Sequence, residues 1–135
     1  MRALRELSAA HPSGTASWFL AVMLWEEREL AEARGLAVAI LEQCPTDYYC
    51  LVICLDYHIR AGDPEETLAY AKRLAVADKP EGFRPRELSL AKIMLWPYWL
   101  LGYGPAARRF TDAMDAWAHW AREYVKSNSS AASGT

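Results

Sequence analysis

Gly62-Asp63-Pro64-Glu65-Glu66 decides how this chain folds. Gly62 can end a helix in the left-handed conformation that other residues resist. Asp63 is a good N-cap, Pro64 is pre-set for the first helical position, and Glu66 completes a capping box. One helix therefore closes and the next opens with almost no loop between them. A turn this tight makes an antiparallel helix pair.

The segments on either side differ in character. Upstream, Leu51-Val52-Ile53-Cys54-Leu55 is apolar all round, so its helix must be covered on more than one side. Downstream, Leu68, Ala71, Leu74 and Ala75 form one stripe, with Glu65, Glu66, Lys72 and Arg73 mostly outside it. An inner helix beside an outer amphipathic one is what stacked helical hairpins produce.

The rest of the chain reads as helix too. Ala and Leu are abundant, β-branched residues are few, and no period-two alternation persists, so the class is all-α. Helices are expected near 2–10, 15–26, 29–43, from an N-cap at Thr46 to Gly62, and over 64–78. Lys79-Pro80-Glu81-Gly82-Phe83-Arg84 is the clearest loop. A sixth helix opens at Pro85 and is kinked or ended by Pro97. Gly102-Tyr103-Gly104 breaks the chain, and Pro105 starts a last helix to about Lys126. One domain is expected over 1–127, with a small polar tail over 128–135 read as disordered.

The bulk numbers exclude several classes of function. Fifteen Lys+Arg stand against seventeen Asp+Glu, for a formal charge of −2, and most arginines have acidic neighbours. No clustered basic face for nucleic acid is expected. The start of the chain lacks the apolar run of a signal peptide. The apolar stretches Trp18 to Trp25 and Ile93 to Leu101 are far shorter than the roughly 20 residues of a membrane span. Cys44, Cys50 and Cys54 are an odd number, so reduced thiols in a cytoplasmic protein are expected.

Catalytic and metal chemistry find little purchase. Cys50, Cys54 and His58 share a helix face, but residues eight apart are separated by about 12 Å along the axis. Zinc ligands lie within about 2.3 Å of the metal. Asp115, His119 and Glu123 share another face and read as a surface i,i+4 pairing, with no nucleophile and no glycine-rich phosphate loop nearby. The expectation is no enzyme, no cofactor and no metal.

Compared with itself at a shift of one helical-hairpin repeat, the chain places Ala33 against Thr67 and Ala37 against Ala71, with Pro45 one short of Pro80. The chain thus resembles the tetratricopeptide repeat, whose unit is two helices and about 34 residues. The best unit spans about 48–81, with others near 14–47 and 90–123. Leu55, Thr67, Leu74 and Arg109 depart from the small residues usual in that repeat. The expected architecture is therefore about three tetratricopeptide-like hairpins in a curved right-handed superhelix.

A narrower resemblance rests on Glu32-Ala33, Ala37, Leu41, Leu51, Leu55, Gly62-Asp63, Thr67-Leu68, Leu74-Ala75, Leu101-Gly102-Tyr103-Gly104 and Arg109. Over about residues 26–123 the chain resembles the small tetratricopeptide-like chaperones of type III secretion, of the needle-subunit type, and their plant-pathogen counterparts. That resemblance implies a non-enzymatic cytoplasmic chaperone. It would hold an amphipathic helix of a secretion subunit or regulator in an apolar concave groove, at times with a second small partner. The alternatives are a generic helical-repeat adaptor unrelated to secretion and a small helical enzyme.

In such a repeat the first helices line the concave face. Here they offer Trp18, Val22 and Trp25, then Tyr49, Val52, Asp56 and Ile59, then Met94, Tyr98 and Leu101. Trp and Tyr are the stronger candidates, because their polar handles favour water or a partner. Each position could instead be ordinary core. The last helix carries Phe110, Met114, Trp117, Trp120 and Tyr124 on one face, which either caps the stack or, through Trp117, Trp120 and Tyr124, docks a second partner.

Overall fold

The computed structural model describes residues 2–11, 14–77 and 95–133, with side chains described to Ser127 apart from Ala106. The described residues contain helices and turns and no strand. The protein is all-α. In chain order, α1 is Arg2–Ala10, α2 Thr15–Glu26, α3 Leu30–Gln43, α4 Tyr48–Ala61 and α5 Pro64–Ala75. Residues 95–101 form α6, followed by α7 Ala106–Arg109 and α8 Thr111–Ser133. Each of α1 to α5 packs on its chain neighbour, and α8 packs on α5 and α7.

The α4–α5 turn forms as its residues dictate, with one exception. Gly62 has φ +75°, its N–H donates to Ile59 O, and the Asp63 N–H donates to His58 O at 3.0 Å. This is a Schellman closure. Asp63 caps α5 by accepting the Glu66 N–H, at a long 3.5 Å. The reciprocal half of the expected capping box is absent, because the Asp63 N–H is already bound to His58. Thr67 secures the turn instead, its Oγ1 donating to Asp63 O at 2.7 Å.

The α2–α3 turn has the same geometry without a glycine. Arg28 has φ +66°, its N–H donates to Trp25 O, and the Glu29 N–H donates to Leu24 O. A left-handed residue bearing a Cβ costs roughly 1–2 kcal/mol.

Nine residues of α4 are buried, from Cys50 through Ile59, and its neighbours α2, α3 and α5 cover it. Leu24, Leu51, Ile53, Leu55, Ile59 and Leu74 are among the largest fully buried side chains. Trp96 and Leu100 of α6 join the same core with Phe110 and, from α8, Trp117. At the other end, Ser8 of α1 hydrogen-bonds Ser17 of α2 at 2.6 Å, and Arg5 pairs with Glu32 of α3.

Several boundaries differ from the expectation. Asp47, not Thr46, caps α4: its Oδ1 accepts the Cys50 N–H at 3.0 Å. The same oxygen accepts the Trp18 indole N–H at 3.3 Å, a tertiary contact that local capping preference does not contain. Helix α5 stops at Ala75. The chain remains helical through Pro97. The last helix is divided at Phe110, whose N–H donates to Ala107 O and whose ring is buried. Its second part continues to Ser133 rather than Lys126. The expected loop over 79–84 and the start at Pro85 lie outside the described residues.

Candidate functional site

Helices α2 and α4 lie side by side and run parallel. Two bonds record this: Trp18 Nε1 donates to Asp47 Oδ1 at 3.3 Å, and further along α2, Trp25 Nε1 donates to Asp56 Oδ2 at 2.7 Å. Both acceptors lie on or beside α4, in the same order along the chain. Trp18 and Trp25 share one face of α2 because their separation is nearly two helical turns.

Asp56 is the centre of the second contact. It is only 3% exposed and accepts from three elements. Besides Trp25, the Arg60 Nε donates to Oδ1 at 3.0 Å, and the Tyr103 hydroxyl donates to the same oxygen. The Arg60 guanidinium lies 4.9 Å from the Tyr103 ring centroid. A buried carboxylate is tolerated only when paired and hydrogen-bonded. Burial, and then the hydrogen bond to the Asp56 carboxylate, push the Tyr103 phenol up to about 12.

An open recess of about 590 Å³ lies over this network. Trp25 of α2 and Arg28 of the following turn form one side, and Asp56 and Arg60 of α4 lie beside them. Tyr98 and Trp99 of α6, with Gly102 and Tyr103 of the next turn, complete the wall. A smaller recess of about 190 Å³ shares Trp25, Arg28, Asp56 and Arg60 and adds Glu26 and Leu30. Tyr98 is 64% exposed and its neighbour Leu101 66%.

The expected groove residues divide into three groups. Trp25, Asp56 and Tyr98 meet at the recess, and Leu101 is exposed beside Tyr98. Trp18, Val22 and Tyr49 lie toward the other end of the α2–α4 face. There Tyr49 is exposed and meets Trp18 edge-on at 5.3 Å, and Phe19 meets Trp18 at 5.0 Å. Val52 and Ile59 belong to the core, Ile59 with no exposed surface. The covering helices bury both, and Asp56, itself buried, borders the recess among the groups bound to it. Met94 lies outside the described residues.

Of the stripe expected on the last helix, Phe110, between α7 and α8, and Trp117 of α8 are buried, and Trp117 packs edge-on against Trp96 at 5.5 Å. Trp120 is half-buried, stacked on Tyr124 at 5.2 Å and faced by Lys72 of α5 at 5.8 Å. Much of this stripe is used within the chain.

Arg28, Arg60 and Trp99 were not expected at the site. A signal for Arg60 was present: it follows Asp56 at the i,i+4 spacing of a helical ion pair. Arg28 precedes Gly62 by one repeat length and holds the same place in the preceding turn.

The thiols are separated by environment. Cys44 is exposed, whereas Cys50 and Cys54 are buried. Burial raises the Cys50 thiol, helped by the neighbouring Asp47, and burial likewise raises Cys54. His58 Nδ1 stands 3.3 Å from Asp63 Oδ2, within ion-pair reach but without hydrogen-bond geometry, and its ring stacks on Tyr70. Among the described residues no three His, Cys, Asp or Glu side chains are grouped to hold a metal ion. No helix among them is long and apolar enough to cross a membrane.

Fold and site together define an all-α protein of packed helical pairs, with an aromatic recess over a buried carboxylate. Comparison with protein families, curated proteins and solved structures returned no match.

Proposed function

We propose that the protein is a non-enzymatic binding module that lays an amphipathic helix of a partner protein across α2, α4 and α6. The observation that carries this reading is the recess itself, where Trp25, Tyr98 and Trp99 offer apolar surface beside polar groups that can orient a ligand. Exposed aromatic residues around a concave site are the common chemistry of helix-in-groove recognition.

The finer architecture in this reading is a curved right-handed superhelix of about three tetratricopeptide-like hairpins. It is supported by the matched turns at Arg28 and Gly62 and by parallel α2 and α4. Positions one repeat length apart are also buried together: Leu20 with Cys54, Ala21 with Leu55, Ala33 with Thr67, Ala37 with Ala71, and Ile40 with Leu74. The third unit is the most divergent, since Gly104, φ +53°, lies further from Gly62 than one repeat length.

In its most specific form the module is a cytoplasmic chaperone of a type III secretion system, guarding a secretion subunit or regulator. That form rests on the sequence resemblance. A second small partner would dock on the remaining exposure of Trp120 and Tyr124.

A displayed random-peptide library, selected on the immobilised full chain, tests the binding reading. Enrichment of sequences with helical apolar spacing is expected, together with loss of their retention by a folded Tyr98→Glu variant. A library that yields no enriched sequence removes the reading. The secretion assignment is tested by the neighbouring genes; none encoding a secretion component would leave a generic adaptor.

A further inference from the structure

The charges in the larger recess are unequal in what they can offer a ligand. The Asp56 carboxylate is buried and accepts from Trp25, Arg60 and Tyr103, so its charge is answered from within the chain. Arg60 gives one of five N–H donors to that carboxylate and lies against the Tyr103 ring. Arg28 has no side-chain hydrogen bond or ion pair among the described residues, yet it lines both recesses. It also occupies a left-handed position that glycine would hold at lower cost.

Acidic residues flank Arg28 in sequence. Glu27 and Glu29 are exposed and line neither recess. Glu26 is exposed and borders only the smaller recess. Among the described residues, the larger recess is lined by two guanidiniums and one carboxylate, a formal charge of +1 in which Arg60 is paired with Asp56 and Arg28 is not paired. Its apolar rim is Trp25, Trp99 and Tyr98.

We propose that this recess takes an acidic side chain of the bound segment, held by Arg28 and Arg60, with an apolar neighbour one helical turn away resting on Trp25 and Tyr98. The proposal rests on the helix-binding reading and names the chemistry of its ligand. Arginine suits the task because its planar fork matches a carboxylate. The apolar neighbour comes from the i,i+4 geometry of a helical ligand. Arg28 at a glycine position fits this role: the side chain serves a ligand that the folded chain alone does not supply.

The peptide selection separates this proposal from the reading beneath it. Sequences enriched on the native chain should carry Asp or Glu at i,i+3 or i,i+4 from an apolar anchor. The same selection on Arg28→Gly should lose the acidic preference and keep the apolar spacing. The tightest peptide should bind Arg28→Gly about tenfold more weakly, and its affinity for the native chain should fall with added salt. Glycine is favoured in the left-handed conformation of this position, so the variant stays folded and should melt at a higher temperature. Enriched peptides without acidic residues, or equal affinity for Arg28→Gly, overturn the acidic anchor while the groove reading stands. No enrichment at all overturns both.

Discussion

Trp25 of α2 and Asp56 of α4 are joined by a 2.7 Å hydrogen bond from indole to carboxylate, 31 residues apart in sequence. That bond, with those from Arg60 and Tyr103, makes one buried oxygen pair the meeting point of three elements. Alanine at Asp56 would leave three partly buried donors without their acceptor. The Asp56→Ala variant should lose about 2–4 kcal/mol of unfolding free energy in urea. Asp56→Asn should lose less, since it keeps one acceptor. A loss below about 0.5 kcal/mol for Asp56→Ala would show that the network contributes nothing.

Gly62 and Arg28 hold the same left-handed conformation and should respond to substitution with opposite signs. Among the described residues, a Cβ at Gly62 would meet only the Arg109 guanidinium, at 3.6 Å, an ordinary contact. The cost of Gly62→Ala is therefore backbone strain, about 1–2 kcal/mol, offset in part by a stiffer unfolded chain, for a net loss of about 0.5–1 kcal/mol. Arg28→Gly relieves that strain but loosens the unfolded chain, for a net gain of about 0.5–1 kcal/mol. Chemical denaturation of the two variants checks the pair, and destabilisation by both would refute the turn geometry.

Stability should decline at alkaline pH through Tyr103. Its phenol holds its proton up to about 12 in the folded state, against about 10 when unfolded. The unfolded chain thus binds fewer protons between these values, and stability falls as pH rises. The contribution is complete below about pH 10 and gone above about pH 12. Tyr70 and Tyr48 are raised in the same direction by burial. Tyr103→Phe should show a shallower alkaline decline, and tyrosinate absorbance should lose its highest step. An unchanged titration would remove Tyr103 from the network.

Thiol labelling should resolve one fast cysteine and two slow ones. Cys44 is exposed and reacts in the native state. Cys50 and Cys54 are buried and held in the neutral form, so they should react only as the chain opens. Three fast thiols under native conditions would contradict the packing of α4.

Much of the fold was legible because its signals are local. Gly62, Asp63 and Pro64 act on atoms within one helical turn, and the left-handed glycine, N-cap and helix start stand where those residues place them. The apolar run of α4 implied an inner helix, and three helices cover it. The division at Phe110 carried no such signal. No glycine or proline marks it, and the turn there serves to bury a ring against distant partners. The cap of α4 moved from Thr46 to Asp47, whose carboxylate is shared with Trp18.

The site was legible in part. Helical spacing identified Trp25, Asp56 and Tyr98, and the fold brings all three to one recess. The same spacing also selected Val52 and Ile59, which are core. Arg28, Arg60 and Trp99 completed the recess without having been singled out.

The sequence by itself determined the helical class, most helix ends and the tight turn at Gly62-Asp63, because capping, backbone preference and periodicity operate over a few residues. Tertiary structure decided which apolar side chains are covered and which charges are answered. Burial and pairing depend on groups far apart in the chain, such as Tyr103 reaching Asp56 from the turn after α6. That is why Ile59 became core, Asp56 became a bound hub, and Arg28 was left with its charge facing the recess.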